Sequence, residues 1–208
     1  MYVRFVKRII DIIASFLGMV LLSWLYVVIV IVIFLDDPGP ILFVQKRIGK
    51  NKIPFSMYKF RSMKMSAPHN VPTHLLQNPE QHITRVGKFL RKSSLDELPQ
   101  IWNIFIGDMS AIGPRPALWN QEDLITERDK YGANDVRPGL TGWAQINGRD
   151  ELAIAEKARL DGEYMAVLKS GGWDAFLMDV KCFFRTFASV ARSEGIVEGG
   201  TGPLESGK

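Results

Sequence analysis

The chain has one cysteine, Cys182, among 208 residues. A lone thiol excludes an intramolecular disulfide framework and a cysteine-rich zinc site. The three histidines, His69, His74 and His82, are too loosely spaced to argue for a metal centre. Gly87-Lys88 lacks the rest of a Walker A loop, and no Gly-x-Gly-x-x-Gly follows a strand-like run. There is no internal repeat and no low-complexity tract. Charge is nearly balanced, with 26 Lys and Arg against 22 Asp and Glu and a net charge of +4. The basic residues are interspersed with acids, which argues against nucleic acid as a partner. The small excess suits lipid head groups or phosphates.

What the chain does have is a long apolar run near its start. Ile12–Leu35 carries no charged residue, and about 20 apolar residues suffice to cross a bilayer. The run exceeds the apolar core of a signal peptide, and Asp36-Asp37-Pro38-Gly39-Pro40 stops it without a small-residue cleavage site, so it reads as retained. Arg4, Lys7 and Arg8 precede it; Lys46, Arg47, Lys50, Lys52, Lys59 and Arg61 follow it. Both flanks therefore ask to be cytoplasmic. A straight span cannot satisfy both, whereas a re-entrant helix that returns to the same face can. Such a turn needs a break with its backbone groups satisfied locally. Ser23 can supply one by bonding back to a carbonyl of the preceding turn.

Beyond the Pro-Gly turn, Ile41–Gln45 and Ile53–Phe60 read as a hairpin or a pair of short strands around Gly49-Lys50-Asn51-Lys52. Residues 64–80 read as a loop. Helical spacing marks Ile83–Arg91 and Leu95–Ile106, and a charged helix is expected over Gln121–Tyr131. Residues 132–149, rich in glycine, read as a long ordered or functional loop. Glu151–Leu168 and Trp173–Ser193 close the helical set. On the last helix Trp173, Phe176, Leu177, Val180, Phe183, Phe184 and Phe187 share a broad face, which suits either a core or a membrane interface.

Ser94-Leu95-Asp96-Glu97 has the pattern of a capping box, with Ser94 capping and Glu97 reaching back. Pro99 conflicts with a regular helix from Leu95, so the helix starts later or kinks. Either way the two acids are expected at an exposed helix mouth, where amide N–H groups can meet a phosphate. Arg91 and Lys92 precede the acids, Arg115 sits between prolines, Arg137 opens the glycine-rich stretch, and Lys59 and Arg61 end the second strand. Arginines held by proline or glycine suit bidentate phosphate binding, because little freedom is lost on contact. An acidic pair among them points to phosphate handling, with the acids holding Mg²⁺ or attacking phosphorus. A non-catalytic adaptor for anionic lipid and a metal-dependent phosphohydrolase share these features.

Five ordered motifs go further. They are Lys59-Phe60-Arg61-Ser62-Met63, Ser94 to Gln100, Gly107-Asp108-Met109-Ser110, Gly113-Pro114-Arg115-Pro116, and Arg137 to Arg149. With them the chain resembles the bacterial sugar transferases, the small monotopic phosphoglycosyl transferases, over nearly its whole length. The resemblance implies a mostly helical α+β fold. A re-entrant membrane helix over residues 1–36 would pack on a catalytic domain over 37–195 that carries a short β-hairpin and amphipathic interfacial helices. Residues 196–208 would form a tail. It also implies transfer of a sugar-1-phosphate from a UDP-sugar to polyprenyl (undecaprenyl) phosphate, releasing UMP, as the first membrane step of polysaccharide assembly. The location implied is the cytoplasmic face of the bacterial inner membrane, among phospholipid. By the same likeness Asp96 is the nucleophile and a Mg²⁺ ligand, and Glu97 the base that readies the lipid phosphate. Lys59, Arg61, Arg91, Arg115 and Arg137 contact diphosphate or lipid phosphate, Gln145, Asn147 and Arg149 address the nucleotide, and Asp161 completes the site. Family members typically break the re-entrant helix with Ser-Pro, whereas this chain has Ser23-Trp24. Neither the sugar nor the oligomeric state, a homo-oligomer included, is legible in the residues.

Overall fold

The computed structural model describes residues 2–67, 79–148 and 152–192. Most of the loop expected over 64–80, Arg149 and the tail over 196–208 lie outside the described residues. A π-helical turn, Tyr2–Val6, leads into α1 (Lys7–Leu21), which breaks at Leu22 before α2 (Ser23–Asp36). The two helices bend by 60° at the break. Ser23 Oγ donates to the carbonyl of Val20 at 2.8 Å, as expected of a residue that breaks a helix by back-bonding. Among the described residues no single helix is long and apolar enough to cross a membrane, but the bent pair meets that test together.

Polar contacts fasten this apolar element to the rest of the chain. Asp11, 3% exposed, accepts from the Ala111 amide at 2.9 Å. Arg8 donates to the carbonyls of Ile104 and Phe105 at 2.6 and 2.8 Å, satisfying the last turn of a later helix. Tyr2 and Lys7 both meet Asp179 at 2.6 Å, and Tyr26 donates to the Leu98 carbonyl at 2.6 Å. Meanwhile Phe16, Leu17, Val20, Leu21, Trp24, Val27, Phe34 and Leu35 are each more than half exposed. The helices thus bury Asp11 and Ser15 while most of their apolar side chains face outward.

The expected hairpin forms and runs longer on its first strand. β1 (Leu42–Ile48) pairs antiparallel with β2 (Pro54–Phe60), from Leu42 opposite Phe60 to Ile48 opposite Pro54. Asn103, fully buried, accepts from the Tyr58 amide and donates to the Ser56 carbonyl, clamping the hairpin to the helix that carries it. Ile29 and Ile33 of α2 pack with Phe60 and with Leu90 of α3 (Arg85–Lys92). Thr84 caps α3 by accepting from the Gly87 amide at 2.8 Å. A Cβ on Gly87 would lie 2.0 Å from the Ser62 carbonyl oxygen, so α3 sits against that backbone only because position 87 is glycine. Gly87→Ala is expected to lower stability by about 3 kcal/mol through forced displacement of α3. Thermal melting of the detergent-solubilised variant checks this, and an unchanged midpoint contradicts it.

Leu95–Ile106 is not one helix. A 3-10 turn over Leu95–Glu97 is followed by α4 (Gln100–Ile106), with Pro99 at the junction, as its missing amide and ring clash require. The stretch 132–149 is more ordered than a loop. It contains β4 (Gly139–Thr141), parallel to β3 (Ser110–Ile112), and α6 (Trp143–Ile146). Strands of three residues are too short to show a period of two, and their pairing is non-local. A Cβ on Gly139 would lie 2.1 Å from the Gly113 nitrogen, so the two backbones cross where no side chain fits. The remaining helices are α5 (Glu122–Asp129), α7 (Ile154–Ser170) and α8 (Gly172–Arg192). On α8 it is Ala175, Asp179 and Cys182 that face the core, against Tyr164 and Met165 of α7. Trp173, Leu177, Phe183 and Phe184 point outward, so core packing does not account for the aromatic face.

Candidate active site

Ser94 takes the left-handed backbone conformation, φ 57°, and makes no side-chain cap. The capping-box reading is therefore replaced. Leu95 and Leu98 pack on the cluster of Ile29, Ile33, Phe60 and Leu90, and this turns the two acids between them toward the end of β2. They are not at an exposed mouth: Asp96 is only 8% exposed. Burial here comes from the tertiary neighbours of the turn, which helical spacing does not encode.

The two carboxylates are set apart by their partners. Glu97 Oε1 accepts from Lys59 Nζ at 2.9 Å and from Arg115 Nη2 at 2.7 Å. Burial alone would raise the Glu97 pKa, but Arg115 and Lys59 hold its carboxyl well below the usual carboxylate range. Burial and the neighbouring Glu97 charge push Asp96 up to about 6, against the pull of Lys59, Arg91 and Arg115. Among the described residues the Asp96 carboxylate accepts no hydrogen bond, so its oxygens remain available to an incoming atom. Arg91 is steered by its Nε, which donates to Ser62 Oγ at 2.8 Å.

Lys59, Arg91, Asp96, Glu97 and Arg115 therefore form one cluster, drawn from β2, α3, the 3-10 turn and the Pro-Arg-Pro turn. The other residues singled out in the sequence have these surroundings. Arg61 is buried against Asp37, bonding both its carboxylate and its carbonyl at the end of α2. Arg137 Nε donates to the Gly107 carbonyl at 2.7 Å, beside the Arg8 that serves the same helix end. Asn147 donates to the Trp143 carbonyl at 2.7 Å. Gln145 is buried with both side-chain polar atoms unpartnered among the described residues. Asp161 is 1% exposed and bonded to Arg128. Arg128 itself escaped the sequence reading, because an arginine in a run of Glu-Arg-Asp looks like solvated helix surface. Nothing in its local pattern signals burial.

Among the described residues no group of three or more His, Cys, Asp or Glu side chains could hold a metal. The donor set still suits a divalent ion bound with a substrate. Mg²⁺ commonly uses one or two carboxylates and completes its shell with phosphate oxygens and water, and Asp96 offers such a carboxylate.

A buried, partly neutral carboxyl beside an ionised one, ringed by cations, defines a site for phosphoryl chemistry at the edge of an apolar element. The bacterial sugar transferase family matches residues 2–193, and the chain belongs to it. It is 37% identical over 190 residues to the "uncharacterized sugar transferase EpsL" of Bacillus subtilis, covering 91% of this chain and 89% of that protein. It is 40% identical over 190 residues to the UDP-glucose:undecaprenyl-phosphate glucose-1-phosphate transferase of Escherichia coli, covering 88% of this chain but 39% of the relative. The exopolysaccharide production protein ExoY of Sinorhizobium fredii is 32% identical over 203 residues, covering 91% of this chain and 87% of that protein. The chain thus spans nearly all of two relatives and less than half of the third.

Proposed function

We propose that this chain transfers a sugar-1-phosphate from a UDP-sugar to undecaprenyl phosphate, releasing UMP, in exopolysaccharide assembly. The observation that carries the reading is Asp96, whose carboxylate accepts no hydrogen bond among the described residues, set among Lys59, Arg91 and Arg115 in a chain of this family. In the first displacement an Asp96 oxygen bonds to the phosphorus that bears the sugar. The bond from that phosphorus to the oxygen of UMP breaks, and UMP leaves with the electron pair. In the second, an oxygen of the polyprenyl phosphate attacks the same phosphorus and the Asp96 carboxylate departs. Splitting the exchange in two lets one small site serve two substrates in turn. Mg²⁺ held by Asp96 and the diphosphate would supply charge neutralisation that lets an anion approach an anion.

Glu97 is a poor proton acceptor while Lys59 and Arg115 both hold it. It gains basicity when the diphosphate draws those cations away, which fits a base that acts only on the loaded enzyme. The amide of Gln145, buried and unpartnered among the described residues, supports a role in reading the nucleotide, since a ligand would satisfy its donor and acceptor together. UMP release that requires both a UDP-sugar and polyprenyl phosphate tests the reading. A sugar-phosphate mass on the Asp96 peptide, after UDP-sugar alone, tests the covalent step. Turnover without a lipid acceptor would favour a phosphohydrolase instead.

We place residues 1–36 in the cytoplasmic leaflet of the inner membrane as a re-entrant element, ahead of a catalytic domain over 37–195. The 60° bend, the outward apolar side chains and the basic flanks support this. Single cysteines introduced near residues 2 and 50 are expected to escape an impermeant thiol reagent applied outside intact cells. Labelling of one alone would indicate a straight span.

A further inference from the structure

We propose that Arg128 is a positioning residue for Arg115, and that Asp161 acts through Arg128 rather than on a ligand. This rests on the reading of the Asp96 cluster as a phosphosugar transfer site. Arg128 lies in α5 and Asp161 in α7, 3% and 1% exposed. Arg128 Nε donates to Asp161 Oδ2 at 2.8 Å, and Nη2 lies 2.6 Å from the same oxygen as a charge contact outside hydrogen-bond alignment. The remaining nitrogen, Nη1, donates to the Arg115 carbonyl at 2.8 Å. Arg115 in turn reaches Glu97 at 2.7 Å with a side chain that is 38% exposed. The backbone of Arg115 is thus gripped from the interior while its guanidinium projects into the site.

A buried ion pair between two helices is a weak source of stability, since desolvation offsets most of its attraction and apolar residues of similar volume join helices as well. What an apolar contact could not supply is the third bond, to the Arg115 carbonyl. Pro114 and Pro116 flank that residue and offer no amide N–H, so the turn is held through its carbonyls: the Gly139 amide donates to Pro114, Arg47 to Pro116 and Arg128 to Arg115 between them. Among the described residues Asp161 Oδ1 has no hydrogen-bond partner. The other carboxylate oxygen, Oδ2, holds Arg128 in the orientation that reaches the Arg115 carbonyl.

A double-mutant cycle tests this. Arg128→Gln combined with Asp161→Asn removes both charges and strands neither. The pair is expected to lower kcat about 10²-fold, since small misplacements of a positioning group cost that much. In an Arg115→Ala background the same pair should lower kcat no further, because its effect passes through Arg115. A merely structural role would reduce the amount of folded enzyme and lower activity by the same factor in both backgrounds. Equal losses in both backgrounds, or a folded pair variant with unchanged kcat, would overturn the proposal. Should the pair fold poorly, Arg128→Lys gives the same comparison, because one ammonium cannot hold Asp161 and the Arg115 carbonyl as a guanidinium does. Wild-type turnover by Asp96→Asn would instead overturn the transfer reading itself.

Discussion

Asp96→Asn is expected to remove UMP release and the covalent adduct together, with a loss in kcat on the order of 10³ to 10⁶. The substitution keeps the size and shape of the side chain but abolishes the anion proposed as the nucleophile, since an amide oxygen cannot form the displaced bond and leave again as a carboxylate. Stability should not fall with activity. Asp96 accepts no hydrogen bond among the described residues, and its charge is disfavoured by burial and by Glu97. A neutral isostere relieves that cost and breaks no bond. Asp96→Asn is thus predicted to melt at or above the wild-type temperature while being inactive. Activity within tenfold of wild type, measured as UMP release from purified protein in micelles, would rule Asp96 out as nucleophile.

The second large effect concerns how the acid pair divides protons. With Asp96 pushed up to about 6, the rate should climb as pH rises through that value, because only the ionised carboxylate attacks. Glu97→Gln removes the like charge that helps raise Asp96, so the midpoint should move down toward the ordinary aspartate value of 3.8. The same change strips Lys59 and Arg115 of their shared counter-ion and takes away the candidate base, costing about 10² to 10⁴ in kcat. The signs for stability oppose each other. Asp96, raised in the folded state, loses stability for the fold as pH rises from about 4 to 6. Glu97, lowered by Arg115 and Lys59 after burial is overcome, contributes stability above its unfolded value of 4.5 that is lost on acidification. A pH–rate profile in which the Glu97→Gln midpoint stays put or rises would show that the two carboxyls are not coupled.

Much of the architecture was legible in the chain because its signals are local. The apolar run between Asp11 and Asp36, the back-bonding capacity of Ser23, the turn around Gly49 to Lys52 and the clash at Pro99 each act within a few residues. The acid pair was also legible, through residue type and motif order, whereas Lys59 and Arg115, expected as phosphate contacts, are bonded to Glu97. The burial of Asp96, the β3–β4 pairing and the grip of Arg128 on Arg115 were not. Each depends on groups brought together from distant parts of the chain, and a helix such as α5 gives no local sign that its single arginine is inside. Arg61 and Arg137 show the converse: the same residue type that suits phosphate also ties down Asp37 or a helix end, and only the packing decides which.

By itself, then, the sequence determined the kinds of chemistry available: a carboxylate pair, cations to hold phosphate, and an apolar element ending at Asp36. Short-range geometry and side-chain type suffice for those. The tertiary structure decided which cations face which acid, and so why the pKa values of two adjacent carboxyls are shifted in opposite directions. Electrostatic energy depends on distance and dielectric surroundings, and both are set by contacts between segments far apart along the chain.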